Sequence, residues 1–283
     1  MLWFYYTLAS VIFFTSLYFI QKTLATESKN PRATAVIFNV FAILSALIIF
    51  VITRSYNSFV LPSNPEAWIF LGVACFCYGM FERGRFYAAK LIDVSILAII
   101  SNVSLVVGVL GSFIIYTEVP TFGKLLGGVL ILIALILVSY TDSKKSVSLK
   151  GVLFGILMYT FLGLGWMLDK KGALYFNTGT YNLLAWSLPF VFIYFPYVKI
   201  SHLKLEFKKS SWRLILMAVI NVLAYVLQLK ALTLQESSRI IPIVQTSTIF
   251  AVLIGIFLLK ERSNLKRKIF AGILCILGVY LLM

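Results

Sequence analysis

The segment from Tyr78 to Lys90, YGMFERGRFYAAK, places charged side chains directly after a long apolar run. Glu82 and Arg85 are three residues apart, a spacing that brings two side chains together on one face of a helix. They could bind the two ends of a zwitterion, or they could neutralise each other as an internal ion pair. Arg83, beside them, could instead extend to the membrane interface. A charge within an apolar helix is costly, so we interpret Glu82 and Arg85 as a candidate binding site.

Polar residues with the same spacing occur near the other end of the chain. Two sets of three share the pattern i, i+4, i+7, which places each set on one helix face. The sets are Tyr78, Glu82 and Arg85, and Asn221, Tyr225 and Gln228, at an offset of 143 residues. Asn102 and Gln245 are related by the same offset, and Ser101, Thr246 and Thr248 lie beside them. We interpret the two sets, with Asn102 and Gln245, as the lining of one substrate cavity. The alternative is that the amides only form hydrogen bonds between helices.

The elements that must position these residues are membrane helices. The chain of 283 residues is 61% hydrophobic and 12% charged, with a mean hydropathy of +0.97. Soluble domains carry about twice that charged fraction. Apolar runs recur that are long enough to cross a hydrocarbon layer about 30 Å thick. They predict an all-α protein with ten transmembrane helices, near 2–20, 34–53, 67–88, 94–116, 121–140, 151–168, 180–198, 212–232, 239–259 and 267–283.

The net charge of +15 follows the membrane topology and does not indicate nucleic-acid binding. Nineteen of the 25 Lys and Arg residues fall in alternate loops, as expected where basic loops stay in the cytoplasm. This places the segments KISHLKLEFKKSSWR and KERSNLKRK in the cytoplasm and both termini outside. Asp169, Lys170 and Lys171 follow the sixth apolar run, and we interpret them as a solvated helix end.

The residue types argue against catalysis and metal binding. Cys75, Cys77 and Cys275 lie within apolar runs, where they are expected to act as small apolar side chains. His202, the only histidine, lies in a basic loop, which excludes a Ser–His–Asp site. The spans lack the paired aspartates of a lipid-phosphate transferase and the rings of like charge of a channel. We expect no catalytic residue, cofactor or metal.

The chain contains an internal repeat. The segments Ala88 to Glu118 and Ala231 to Glu261 align without a gap at the 143-residue offset. This predicts two five-helix halves, residues 1–145 and 146–283. Because each half has an odd number of spans, the second must be inverted relative to the first. Transporters built this way bind substrate near the membrane midplane, where equivalent helices meet.

The ends of the halves, FIIYTEVPTFGKLLGGVLILIALILV and FLLKERSNLKRKIFAGILCILGVYLL, resemble the EamA repeats of the drug/metabolite transporter superfamily. Each EamA repeat ends with a helix, a short acidic turn and a closing helix. Glu118 and Glu261 match the acidic residue of that turn, and we expect both to have structural roles. The resemblance implies ten helices, with the fifth and tenth peripheral to a central cavity. Many relatives carry a proline where this chain has Leu105 and Thr248, whereas Pro242 comes earlier. Relatives also usually keep their termini in the cytoplasm.

The predicted function is secondary transport of a small organic metabolite, amino-acid-like or otherwise zwitterionic. Alternating access would use a central cavity between helices 1–4 and 6–9. If Glu82 is unpaired, it could instead bind a cation or exchange protons, as in exporters of cationic or amphipathic drugs. A flippase that binds a lipid headgroup is a further alternative. The expected partners are the substrate, membrane lipids and protons as a coupling ion, in the plasma or inner membrane.

Overall fold

The computed structural model describes residues 1–91, 94–139, 149–195, 197–250 and 265–282, and its regular structure is helical throughout these ranges. A short 3₁₀ turn covers Ser55–Ser58. The helices are α1 (Leu2–Glu27), α2 (Pro31–Ile52), α3 (Pro65–Leu91), α4 (Val94–Tyr116), α5 (Phe122–Ser139), α6 (Leu149–Phe176), α7 (Thr178–Ser187), α8 (Phe190–Tyr194), α9 (Ile200–Leu232), α10 (Ser237–Gln245) and α11 (Leu265–Leu282). Glu261, residues 251–259 of the ninth predicted span and most of KERSNLKRK lie outside the described residues.

Within these ranges, three helical segments are long and apolar enough to cross a membrane: Pro31–Ile52, Leu149–Phe176 and Trp212–Leu232. Four shorter apolar helical stretches are Leu2–Leu17, Ile100–Tyr116, Phe122–Leu137 and Ile269–Leu282. The chain therefore has the all-helical, apolar character that its sequence predicts. The count of ten spans remains a prediction.

Several predicted boundaries differ from the structure. α6 continues to residue 176 instead of ending at 168, and α9 begins at residue 200 instead of 212. Most of KISHLKLEFKKSSWR is therefore helix, not loop. Hydropathy marks where a helix leaves the hydrocarbon, whereas the helix itself continues through good formers such as Leu, Lys and Glu. The predicted seventh span is divided into α7 and α8 at Pro189, which lacks the N–H that a continuous helix needs.

The helices pack in three groups that share two buried clusters. α3 and α4 lie along α6, α1 and α2 lie along α9, and α5 packs against α11. The larger cluster joins α1, α2, α3, α6, α7 and α9 and contains Phe38, Tyr181 and Tyr225. The smaller cluster contains Leu105 and Ile241 and joins α1, α4, α5, α10 and α11. The buried polar residues of interest divide between these clusters.

The N-terminal extension of α9 is tied to the start of α2 by one carboxylate. Glu206 is wholly buried and accepts hydrogen bonds from the backbone N–H groups of Lys29 at 2.9 Å and Asn30 at 2.7 Å. Asn30 itself caps α2, because its side-chain oxygen accepts the N–H of Ala33. This contact fixes the turn between α1 and α2 to the first part of α9.

Candidate functional site

Asp169 on α6 is a carboxylate with no exposed surface within this packing. Three tyrosine hydroxyls from three other helices donate hydrogen bonds to it. Tyr78 on α3 lies 2.5 Å from Oδ2, and Tyr181 on α7 and Tyr225 on α9 lie 3.0 Å and 2.8 Å from Oδ1. Asp169 therefore links α6 to α3, α7 and α9 at one point. We call these four residues the tyrosine–aspartate cluster.

Two glycines on α6 make room for this cluster. Gly165 and Gly172 lie four residues before and three residues after Asp169, which places all three on one face of the helix. A Cβ atom at Gly165 would lie 2.7 Å from a ring carbon of Tyr78, and one at Gly172 would collide with the ring of Tyr181. Only glycine allows both rings to approach the α6 backbone this closely.

The interpretation of residues 169–171 as a solvated helix end is wrong for Asp169. α6 continues for seven residues after it, so its side chain points into the bundle. Lys170 and Lys171 form separate ion pairs, with their Nζ atoms 3.0 Å from Glu118 Oε1 and 2.7 Å from Glu66 Oε1. The two lysines lower the local hydropathy, so a hydropathy profile does not distinguish the buried aspartate from a solvated helix end. The signal that could have found it is its position between two glycines on the same face.

A series of aromatic contacts leads from this cluster to the predicted ion pair. The ring of Tyr225 lies 6.0 Å from that of Tyr78 and 5.8 Å from that of Trp186. Trp186 lies 6.0 Å from Phe38, and the guanidinium carbon of Arg85 lies 4.8 Å from the centre of the Phe38 ring. A cation over an aromatic face is stabilised by the ring's electron density. Trp186 and Phe38 were not predicted site residues, because their contacts depend on the packing of α7 and α2.

Glu82 and Arg85 form the ion pair that their spacing allows. Arg85 Nε lies 3.0 Å from Glu82 Oε2, and both side chains are buried. The distance is that of an ion pair, but the N–H is not aligned well enough with the oxygen for a hydrogen bond. Misalignment leaves the Glu82 oxygen without the hydrogen bond that would offset its burial. The charges neutralise each other without forming a fully satisfied pair.

The second predicted set of residues lies on a buried face of α9. Asn221, Tyr225 and Gln228 are all buried. Tyr225 belongs to the tyrosine–aspartate cluster, so the structure brings it together with Tyr78. Both polar atoms of the Gln228 amide lack hydrogen-bond partners among the residues that the structure describes.

Asn102 and Gln245 are also buried, but they belong to a different part of the bundle. Asn102 lies on α4 three residues before Leu105 of the smaller cluster, and Gln245 is the last residue of α10. α10 contains Pro242 and ends at Gln245; Thr246 forms a turn, after which residues 247–250 are helical again. The structure therefore places Gln245 beside a helix break.

Comparison with known proteins identifies the family. The model of the EamA-like transporter family matches residues 1–140 and, again, residues 149–283. This chain belongs to the EamA-like transporter family. It is therefore an integral membrane protein of the transporter type found in the drug/metabolite transporter superfamily.

Comparison with solved structures bears on the fold of this EamA chain. No curated protein matches it in sequence. Among solved structures, one described only as a crystal structure of a protein superposes with a TM-score of 0.73. The match covers 98% of this chain and 94% of the other at 10% sequence identity. At that identity the likeness shows a shared fold alone.

Proposed function

We propose that this EamA chain is a secondary transporter that moves a small zwitterionic metabolite, such as an amino acid, by alternating access. The observation that carries the proposal is the buried Glu82–Arg85 pair, with Nε and Oε2 3.0 Å apart. Its two charges are those that a zwitterion needs at its ends. A purely structural helix could place leucine at both positions and avoid a cost of about 2.5–3.5 kcal/mol for each buried charge.

In the proposed mechanism the substrate opens the ion pair. The carboxylate of the substrate binds the guanidinium of Arg85, and the ammonium group of the substrate binds the carboxylate of Glu82. The Gln228 amide, whose polar atoms have no described hydrogen-bond partner, is proposed to supply a further donor and acceptor. The remaining proposed contacts are Tyr78, Asn102, Asn221, Tyr225 and Gln245. Return of the substrate to water lets the pair close again.

The proposed cavity lies between predicted helices 1–4 and 6–9 of two inverted halves, residues 1–145 and 146–283. Two separate matches of the family model, to residues 1–140 and 149–283, support this division. The breaks near Pro189 and Thr246 provide points where helices could bend during alternating access, since a broken helix bends at lower cost than a continuous one.

The function can be tested by exchange in proteoliposomes that contain the purified full-length chain. The vesicles are loaded with unlabelled common amino acids, and entry of each labelled amino acid is measured. We expect at least one to exchange. Glu82→Gln and Arg85→Leu should slow that exchange roughly 30-fold or more, because removing one partner of a buried charge contact costs about 2–5 kcal/mol. Glu27→Gln is the matched control, since Glu27 pairs with Arg213 at an exposed position.

Each alternative has its own outcome in this assay. If Glu82→Gln exchanged amino acids at the wild-type rate, the buried Glu82–Arg85 pair would have a structural role. Transport of cationic dyes without any amino acid would indicate a drug exporter. Movement of a fluorescent phospholipid between leaflets would indicate a flippase. A variant that fails to fold is replaced by the double variant Glu82→Gln/Arg85→Leu, which removes both charges together.

A further inference from the structure

The charge of Asp169 has no counterion among the described residues. Lys170 and Lys171, next to it on α6, pair with Glu118 and Glu66. On α3, Arg85 is engaged with Glu82. On α10, the Nε atom of Arg239 lies 2.9 Å from Glu236. These four cations are therefore each paired with another carboxylate.

The other titratable groups that face Asp169 are hydroxyl and thiol groups. Beyond the three tyrosines of the cluster, α3 presents the Cys75 thiol, which donates toward the carbonyl of Leu184 at 3.9 Å. α4 presents Tyr116, whose hydroxyl donates to the carbonyl of Met167. A carboxylate buried among neutral groups must either be stabilised by several donors or take up a proton. The three tyrosine hydroxyls provide the donors.

The packing around Asp169 limits what else could bind there. The Tyr78 ring fills the space opposite Gly165, and the Tyr181 ring fills the space opposite Gly172. An ammonium group or a hydrated metal ion would have to displace one of these rings. Groups of three or more metal-ligating side chains do not occur in the part of the chain that the structure describes. A proton needs no additional space.

We propose that Asp169 is the proton-binding group of this transporter and that protonation releases α6 from α3, α7 and α9. The proposal rests on the transport function above and adds its coupling ion. One proton passes from a hydronium ion of the aqueous phase to one carboxylate oxygen, so one O–H bond of hydronium breaks, one O–H bond forms on Asp169, and a water molecule is left. The new O–H then donates a hydrogen bond, so a tyrosine hydroxyl that was a donor must turn and accept.

The hydrogen bonds of the cluster end on the helices that carry the proposed substrate contacts. Tyr78 lies one turn before Glu82 on α3, and Tyr225 lies one turn before Gln228 on α9. When the carboxylate is ionised, its hydrogen bonds hold α3 and α9 against α6. When it is protonated, the charge-assisted hydrogen bonds are lost, and these are roughly twice as strong as neutral ones. Proton binding therefore changes the restraint on the substrate contacts directly.

Infrared spectroscopy tests proton binding without any substrate. The full-length chain in lipid is titrated from alkaline to acidic pH, and the carboxylic-acid C=O band is followed. We expect a titrating band in the wild type and in Glu82→Gln that is absent from Asp169→Asn. Tyr225→Phe keeps the aromatic ring but removes one hydroxyl donor. This variant should still show the carboxylic-acid band, but the pH at which the band has half its full intensity should change. An identical set of bands in the wild type and Asp169→Asn would overturn the proposal.

Transport driven by a pH gradient tests the coupling. Proteoliposomes carry a trapped pH-sensitive dye, and the mixture of common amino acids is the substrate probe. In the wild type, a pH gradient should drive amino-acid accumulation with a matching dye response. Asp169→Asn should lose accumulation but keep exchange at equal pH, since exchange requires no net proton movement. The proposal would be overturned if Asp169→Asn accumulated amino acids to the wild-type level. It would also be overturned if the wild type exchanged amino acids but the pH gradient had no effect on their movement.

The two assays fail independently. If the wild type exchanges no amino acid in either format, the substrate assignment is wrong, and the infrared titration still decides whether Asp169 binds a proton. If Asp169→Asn does not fold, Tyr225→Phe and Tyr78→Phe take its place in the infrared titration, which contains no substrate. An unchanged titration midpoint in both variants would then contradict the proposal.

Discussion

The carboxylate of Glu118 accepts the backbone N–H of Ser237 at 2.8 Å, so the turn after α4 caps the first turn of α10. Its second oxygen accepts the N–H of Ser238 at 3.0 Å, and Lys170 of α6 pairs with the first. A negative group at a helix N-terminus satisfies free N–H groups and interacts favourably with the helix dipole. One residue of the acidic turn thus joins three helices beside Asp169.

Glu118→Gln should lower the free energy of unfolding by about 1.5–3 kcal/mol, the usual contribution of hydrogen bonds to a charged group. Thermal unfolding of the purified protein in detergent measures the change. The matched control is Glu27→Gln, which removes an exposed ion pair with Arg213 and should cost about 0–1 kcal/mol. Equal losses in both variants would contradict a capping role for Glu118.

Gly165→Ala should destabilise the protein and break the Tyr78–Asp169 hydrogen bond, because the new Cβ would lie 2.7 Å from the Tyr78 ring. Overpacking of this kind typically costs about 1–3 kcal/mol. Gly72→Ala is the control, since a Cβ there has no neighbour within 4 Å and alanine is the better helix former. Unfolding temperatures of the two variants should move in opposite directions.

Glu82 and Arg85 should be coupled in stability. Each single variant, Glu82→Gln or Arg85→Leu, leaves one buried charge without its counterion and should cost about 3–5 kcal/mol. The double variant removes both charges and should recover most of that loss in stability, while substrate exchange stays as slow as in the single variants. A double-mutant cycle of unfolding free energies measures the coupling. Strictly additive losses would show that the two charges do not stabilise each other.

The distribution of basic residues predicts the orientation of the chain. Nineteen of 25 Lys and Arg residues lie on the side that includes the segment KISHLKLEFKKSSWR, which should face the cytoplasm, with the C-terminus outside. A C-terminal alkaline phosphatase fusion should be active, and a C-terminal green fluorescent protein fusion should be dark. The reverse result would mean that this chain keeps the cytoplasmic termini usual among EamA relatives.

Glu236 should make stability depend on acidic pH. Burial opposes ionisation of this carboxyl, but hydrogen bonds from Lys124 and Arg239 outweigh it and hold its pKa below the ordinary value of 4.5. A lowered folded-state pKa contributes stability that is present above the unfolded value and is lost as pH falls through the folded value. The difference in unfolding temperature between wild type and Glu236→Gln should therefore be largest near neutral pH and shrink under acid.

Local spacing and composition predicted the features that depend on a single helix. The i, i+3 spacing of Glu82 and Arg85 gave an internal ion pair as one of two alternatives, and the i, i+4, i+7 pattern placed Asn221 and Gln228 on one face of α9. Both residues of α9 are buried. Apolar runs predicted helices and the membrane, and the two C-terminal motifs identified the family. These inferences need no knowledge of how helices pack together.

The tyrosine–aspartate cluster could not be predicted in this way, because its members come from four helices. Asp169 is followed by two lysines, so the local hydropathy is that of a solvated end, whereas α6 continues for seven residues beyond it. Tyr181 reaches it from α7, twelve residues later, because Gly172 leaves space for its ring. That contact depends on a crossing of helices, which a single sequence does not reveal.

The length of α9 has a mechanical consequence. At 1.5 Å per residue its 33 residues extend over roughly 50 Å, well beyond a hydrocarbon layer about 30 Å thick. Its outer part is fastened to the α1–α2 turn through Glu206, and its inner part carries Tyr225. Because α9 is one continuous helix, a small tilt of the helix near Tyr225 would produce a larger displacement of the α1–α2 turn. A distance probe attached at the turn would report events deep in the bundle from a position accessible to water.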